Sequence, residues 1–169
     1  MSTRQKTRIN RRSFLAGSAA AGITIVRASQ VRGSQANSAV EIGMIGCGGR
    51  GGWIAPLFQK HGGYRVTAAA DYFQEKVDAF GDKFQVPAER RFTTLSGYRH
   101  LLETRLDAVV IETPPYFHPQ QCADAIAAGR HVYVAKPIAV DVPGCLSIAE
   151  SGRRASDKKL VFLVDFQTR

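Results

Sequence analysis

The sequence predicts an α/β domain with a doubly wound parallel sheet of about six strands. Three observations predict it. Short apolar runs alternate with charged, helix-forming segments from residue 40 to residue 169. One of these runs, 106–112 (LDAVVIE), is apolar almost throughout, the mark of a strand covered on both faces. The first run ends in a glycine-rich turn that opens a helix, as βα units do.

The elements follow in order. Residues 40–46 (VEIGMIG) form the first strand and enter the glycine loop. A helix covers about 50–61, weakened by Pro56. Residues 64–70 (YRVTAAA) are the second strand, which stops at Asp71. Residues 73–84 form a helix with its charges on one side, and 91–93 a short third strand. Ser96 is placed to cap a helix running to about Glu103, with Leu101 and Leu102 inward. After the fourth strand at 106–112, His118-Pro119 opens a helix that Gly129 stops. Residues 131–135 (HVYVA) are the fifth strand. Asp141 caps a helix to about Ser156, and 160–165 (LVFLVD) is the sixth strand. Right-handed crossovers leave few arrangements, and the Rossmann-type order 3-2-1-4-5-6 is favoured.

Composition narrows the function classes. A chain of 169 residues with 44% hydrophobic and 22% charged residues is ordinary globular material, not a disordered chain, collagen or a coiled coil. The formal charge of +9 is unevenly spread. Residues 1–39 hold seven Lys/Arg and no acid, whereas 40–169 hold 16 Lys/Arg against 14 acids, a net +2. The body therefore has no global drive toward nucleic acid. Cys47, Cys122 and Cys145 make no disulfide framework, and no zinc spacing is present. His61, His100 and His131 show no metal spacing either. Tyr98, Arg99, Arg153, Arg154, Lys158 and Lys159 read as solvated helix faces.

The basic segment reads as an address. A polar, basic start leads into the uncharged run 14–26, then to Ser34-Gln35-Ala36, a small-x-small cleavage site. The run is shorter than the roughly 20 apolar residues that span a membrane. Arg11-Arg12-Ser13-Phe14-Leu15 resembles a twin-arginine signal. The expected organisation is a signal and spacer over 1–39 and a dinucleotide-binding domain over 40–169. The expected location is the periplasm, or export by the twin-arginine translocase, with no membrane association in the mature form.

Gly46-Cys47-Gly48-Gly49-Arg50-Gly51 fits G-x-G-x-x-G, and Asp71 lies twenty residues beyond Gly51 at the end of the next strand. Gly46 allows the tight turn. Gly48 lets a pyrophosphate approach the backbone, and Gly51 lets the helix close on the strand. The helix N-terminus offers N–H groups to phosphate. Asp71 would accept from ribose hydroxyls and repel a 2′-phosphate, favouring NAD over NADP. Arg50 points the other way, since a nearby arginine can accommodate that phosphate.

Three further motifs carry a family resemblance: Thr113-Pro114-Pro115-Tyr116-Phe117-His118 after strand four, Ala135-Lys136-Pro137 after strand five, and Phe166-Gln167-Thr168-Arg169 at the end. With the glycine loop, they resemble the glucose–fructose oxidoreductase/inositol dehydrogenase (Gfo/Idh/MocA) family over residues 40–169. The resemblance implies that Thr113, Pro114 and His118 border the dinucleotide. It implies that Lys136 contacts the reacting hydroxyl beside the nicotinamide, with a cis peptide before Pro137. His118 and Lys136 are thus the candidate catalytic residues, although a histidine at a helix start can also simply cap. Ala135 stands where the family's E-K-P motif has glutamate, which normally helps hold the lysine and the cofactor.

The resemblance further implies a C-terminal α/β domain, absent from this chain, that supplies most of the substrate pocket and the oligomer interface. The expected activity is an NAD(P)-dependent oxidation of a sugar, cyclitol or related polyol, with this chain alone inactive. The alternatives are an NAD-dependent glycosidase and a non-catalytic, truncated dinucleotide-binding module. No resident metal is expected.

Overall fold

A computed structural model describes residues 39–166. The basic segment with Arg11-Arg12, and the closing Gln167-Thr168-Arg169, lie outside the described residues. Six strands form one parallel sheet: β1 (Val40–Ile45), β2 (Tyr64–Ala70), β3 (Arg91–Phe92), β4 (Ala108–Ile111), β5 (His131–Ala135) and β6 (Phe162–Asp165). Their order is β3-β2-β1-β4-β5-β6, the arrangement expected from sequence. The connecting helices are α1 (Gly49–His61), α2 (Gln74–Phe84), α3 (Gly97–Glu103), α4 (His118–Ala127) and α5 (Val142–Asp157). A 3₁₀ turn, Ala88–Arg90, precedes β3.

The sheet separates two apolar layers, and successive strand residues serve opposite ones. Ile42, Met44 and Val110 pack with Ile54 of α1 and with Val77 and Phe80 of α2. Ile45, Val109 and Ile111 pack with Leu101 of α3, Ile126 of α4 and Ile148 of α5. Helices on both faces explain why the central strands are apolar in both directions.

Some local expectations hold and others are corrected. Pro56 lies inside α1 without ending it; the helix runs to His61 and is closed by Gly62 at φ 81°, whose N–H donates to the Gln59 carbonyl. Ser96 occupies the N-cap of α3, but its side chain makes no cap bond. Its hydroxyl instead lies 3.2 Å from that of Thr94. Asp141 does cap α5, accepting from the Gly144 N–H at 2.7 Å. Tyr98 is buried rather than solvated. Its hydroxyl donates to Asp124 at 2.6 Å and ties α3 to α4. The short α3 buries Gly97, Tyr98, Leu101 and Leu102, so position 98 falls on its inner face. Lys158 also has a job, since its Nζ donates to the Ile126 carbonyl at 2.9 Å near the end of α4.

Candidate active site at the sheet switch point

β1 lies between β2 and β4, and the connections after β1 and β4 diverge to opposite faces of the sheet. Open α/β sheets bind ligands in the crevice this creates at the carboxyl ends of the strands. A cleft of about 490 Å³ occupies that place, lined by residues including Gly46, Gly48, Asp71, Glu112, Thr113 and Pro114.

The glycine loop is built by close approach. Gly46 has φ 97°, and a Cβ there would sit 2.7 Å from the Glu112 carbonyl carbon. A Cβ on Gly51 would run into the Gly46 carbonyl oxygen. Gly48 is different, because nothing lies within 4 Å of the place its Cβ would take. That open space is the cradle a side chain would fill. Gly48 is also the N-cap of α1, with no side-chain cap and no acid in the first turn. The early N–H groups and the positive end of the helix dipole thus remain available for an anion.

Asp71 faces this loop from the end of β2. Its carboxylate accepts from the Cys47 N–H at 2.7 Å and from the Phe73 N–H at 3.0 Å. It is pinned by two backbone donors and only half-buried, leaving lone pairs for further donors. An open, uncapped glycine cradle beside a fixed carboxylate fits the diphosphate and ribose of a dinucleotide. Cys47 itself turns under the loop, with Sγ 3.6 Å from the Ala70 carbonyl oxygen. Burial pushes its thiol pKa far up, and the Asp71 charge adds to the effect.

The other expected residues are placed as follows. Thr113 and Pro114 line the cleft. Lys136 and Pro137 are exposed at the end of β5, outside that lining, and the bond between them is cis. Gly49 is exposed in the first turn of α1. Arg50 does not turn to Asp71. Its guanidinium pairs with Asp165 and lies 3.4 Å from Glu112 Oε2, and it stacks 4.4 Å from the Trp53 ring centroid. Asp165 and Glu112 end β6 and β4, across β1 from Asp71. The arginine that would accommodate a 2′-phosphate is therefore committed elsewhere.

Glu112 was legible only as the last residue of a strand, and Asp165 likewise. The usable signal was a lone acid ending an apolar run. Burial raises the Glu112 pKa, opposed by Arg50.

His118 is wholly buried, so it does not face the open cleft. Its Nε2 donates to the Thr113 carbonyl at 2.7 Å. Next to it, the Thr113 hydroxyl donates to Gln121 at 2.6 Å. Together these bonds fold the T-P-x-x-x-H loop back onto the start of α4. His118 Nδ1 has no hydrogen-bond partner among the described residues. Its burial and its bond to Thr113 make His118 a pin for this loop. Burial lowers its pKa from 6.5, and the carbonyls of Thr113, Pro137 and Ile138 partly offset this.

A depressed histidine pKa means that stability is present above the ordinary value and lost as pH falls through the folded one. The urea midpoint of the chain should therefore fall as pH drops below about 6.5. His118→Gln should be less stable at pH 8 but show a shallower loss on acidification. Parallel slopes for the two proteins would refute the buried neutral imidazole.

Comparison with known proteins agrees with this geometry. Residues 40–165 match the family model described as the oxidoreductase family, NAD-binding Rossmann fold (GFO_IDH_MocA). A glycosyl hydrolase family 109 protein of Solibacter usitatus is 31% identical over 123 residues, 68% of this chain and 28% of that protein. Inositol 2-dehydrogenase of Burkholderia ambifaria is 32% identical over 120 residues, 68% of this chain and 35% of that protein. Scyllo-inositol dehydrogenase of Lactobacillus casei, solved with NAD(H) and scyllo-inositol, superposes with a TM-score of 0.63 at 24% identity. That match covers 75% of this chain and 36% of the other, and it speaks for the fold alone. The chain spans about a third or less of the length of the curated relatives named here. With its switch-point cleft, uncapped glycine loop and matched residues 40–165, the chain belongs to the Gfo/Idh/MocA oxidoreductase family and is its NAD-binding Rossmann domain.

Proposed function

We propose that this domain serves an NAD-dependent oxidoreductase acting on a cyclitol, sugar or related polyol. The observation that carries the reading is the fixed Asp71 carboxylate facing an open, uncapped glycine loop. The substrate class rests on the relatives named as inositol dehydrogenases. Bound NAD would supply the hydride acceptor. The chain's residues would do the rest. The N-terminus of α1 would hold the diphosphate, and Asp71 would accept from the adenosine ribose hydroxyls. Lys136, at the end of β5, would hold the substrate hydroxyl and take its proton at Nζ. His118 would keep the neighbouring loop in shape.

A second reading is favoured by relatives named glycosyl hydrolase family 109 and α-N-acetylgalactosaminidase. There the dinucleotide would be reduced and reoxidised within one turnover, with no net change. Incubating the protein with NAD and either free polyols or an aryl glycoside separates the two, and turnover of neither is the outcome expected of this domain by itself. Stoichiometric NADH with a polyol supports the dehydrogenase. Aglycone release without net NADH supports the glycosidase instead.

Cofactor preference provides a check that does not depend on turnover. By calorimetric titration the chain should bind NAD more tightly than NADP. Asp71→Ser should weaken NAD roughly tenfold, the size of a hydrogen bond to a charged group, and narrow the preference. Stronger NADP binding by the unsubstituted chain would count against Asp71 as the selecting residue.

Export is proposed on the residues of the basic segment alone. Changing Arg11 and Arg12 to Lys should leave the protein in the cytoplasm when cell fractions are compared. Unchanged secretion would refute a twin-arginine route.

A further inference from the structure

Glu112 presents an unusual group: a carboxylate whose side chain is 0% exposed in a residue that lines the dinucleotide cleft. Neither of its oxygens has a hydrogen-bond partner among the described residues. The one ionic contact, from Arg50 Nε, is 3.4 Å long and poorly directed, because the Arg50 fork is turned toward Asp165. Two buried carboxylates thus share one guanidinium, and Glu112 has the poorer share. A buried carboxylate without a donor is costly and calls for a partner.

Its position suggests the partner. β4 and β5 pair in register with Ile111 opposite Val134. Continuing by one residue sets Glu112 beside Ala135. β6 sets Asp165 opposite Ala135 from the other side. Ala135 is the place where the A-K-P motif lacks its acid, immediately before Lys136. The carboxylate missing from β5 is therefore present on the adjacent strand at the same level of the sheet. This level lies across β1 from Asp71, on the side away from the expected adenosine end.

We propose that Glu112 replaces the motif's glutamate from the neighbouring strand, and that its carboxylate accepts a hydrogen bond from the nicotinamide nucleoside half of bound NAD. The assignment rests on the NAD-binding reading above. It explains how an alanine can stand at 135 without removing the acid from the site. It also explains the orphaned oxygens, which await an O–H or N–H donor of the ligand. Arg50 is a third exposed, whereas the Glu112 and Asp165 side chains beside it are buried.

The test uses the whole chain and two ligands, NAD and ADP. ADP keeps the adenosine and the diphosphate but lacks the nicotinamide nucleoside. Glu112→Ala should weaken NAD roughly ten- to a hundredfold, as expected for a hydrogen bond to a charged group, and leave ADP within about twofold. Ala135→Glu added to Glu112→Ala should restore most of the NAD affinity. Alone, Ala135→Glu would crowd a third carboxylate around one guanidinium and should lower the unfolding midpoint. Such mutual rescue is the signature of coupled neighbours. Should Glu112→Ala fail to fold, Glu112→Met, which fills the space without an oxygen acceptor, replaces it, and the ratio of NAD to ADP affinity is read in the same way. Unchanged NAD binding in a Glu112 variant would overturn the proposal. So would equal weakening of both ligands, which would mean that Glu112 only shapes the glycine loop, or failure of Ala135→Glu to rescue. Absence of NAD and ADP binding by the unsubstituted chain would instead overturn the dinucleotide reading itself, and this inference with it.

Discussion

The backbone of β1, its glycine loop and the end of β4 pack with no room for a side chain between them. Gly46 lies against the carbonyl of Glu112, and Gly51 lies against the carbonyl of Gly46. A side chain at either place would need the space now filled by main chain. This contact sets where α1 begins, and hence where its free N–H groups point. It fixes the height at which Asp71 meets the loop, since the Cys47 N–H and the Asp71 carboxylate are joined by a direct bond. Overpacking such a junction costs typically 1–3 kcal/mol, a sizeable part of a single domain's stability. The cleft exists because two residues forgo side chains to let the loop close, and a third, Gly48, leaves the cradle empty.

Around that junction, polar groups divide into two kinds. Those on the β2 side and in the T-P-x-x-x-H loop are held mainly by backbone: Asp71 takes two N–H donors, and His118 Nε2 donates to a carbonyl. They hold shape. Those at the ends of β4 and β6 depend on one guanidinium, Arg50, which pairs with Asp165 and leaves both Glu112 oxygens without a hydrogen bond among the described residues. Removing one partner of a buried pair costs more than the pair itself contributes, because the survivor is left charged and dry. A ligand that supplied a donor to Glu112 would relieve that imbalance. The cleft is thus fixed by backbone hydrogen bonds on its Asp71 side and short of donors at Glu112 on the other.

Much of this was legible in the sequence. The strand order followed from apolar runs, helix signals and the rule of right-handed crossovers. Gly46, Gly48, Gly51 and Asp71 followed from spacing, because each is set by local geometry within one βα unit. Legibility failed where a residue's role depends on contacts distant in sequence. Tyr98 read as solvated, yet its partner Asp124 lies on another helix. Arg50 read as a residue able to accommodate a 2′-phosphate, yet its partners lie at strand ends more than sixty residues away. His118 fell within a recognisable motif, but only its burial shows that it ties down a loop. Ser96 had the right identity for a cap and a nearer partner in Thr94.

The burial of Cys47 has a consequence for the chemical durability of the domain. Oxidants and electrophiles attack thiolates, and they need access. Cys47 sits in the glycine turn, where a sulfenic acid or a mixed disulfide would crowd the Ala70 carbonyl that its sulfur now faces. Its thiol is buried and held protonated, with its sulfur directed at the Ala70 carbonyl. The most damaging place for an oxidised cysteine is therefore occupied by an unreactive one. Cys122 is buried as well, which leaves Cys145 as the exposed thiol among the described residues. Oxidative modification would fall first on the outer side of α5, away from the glycine loop.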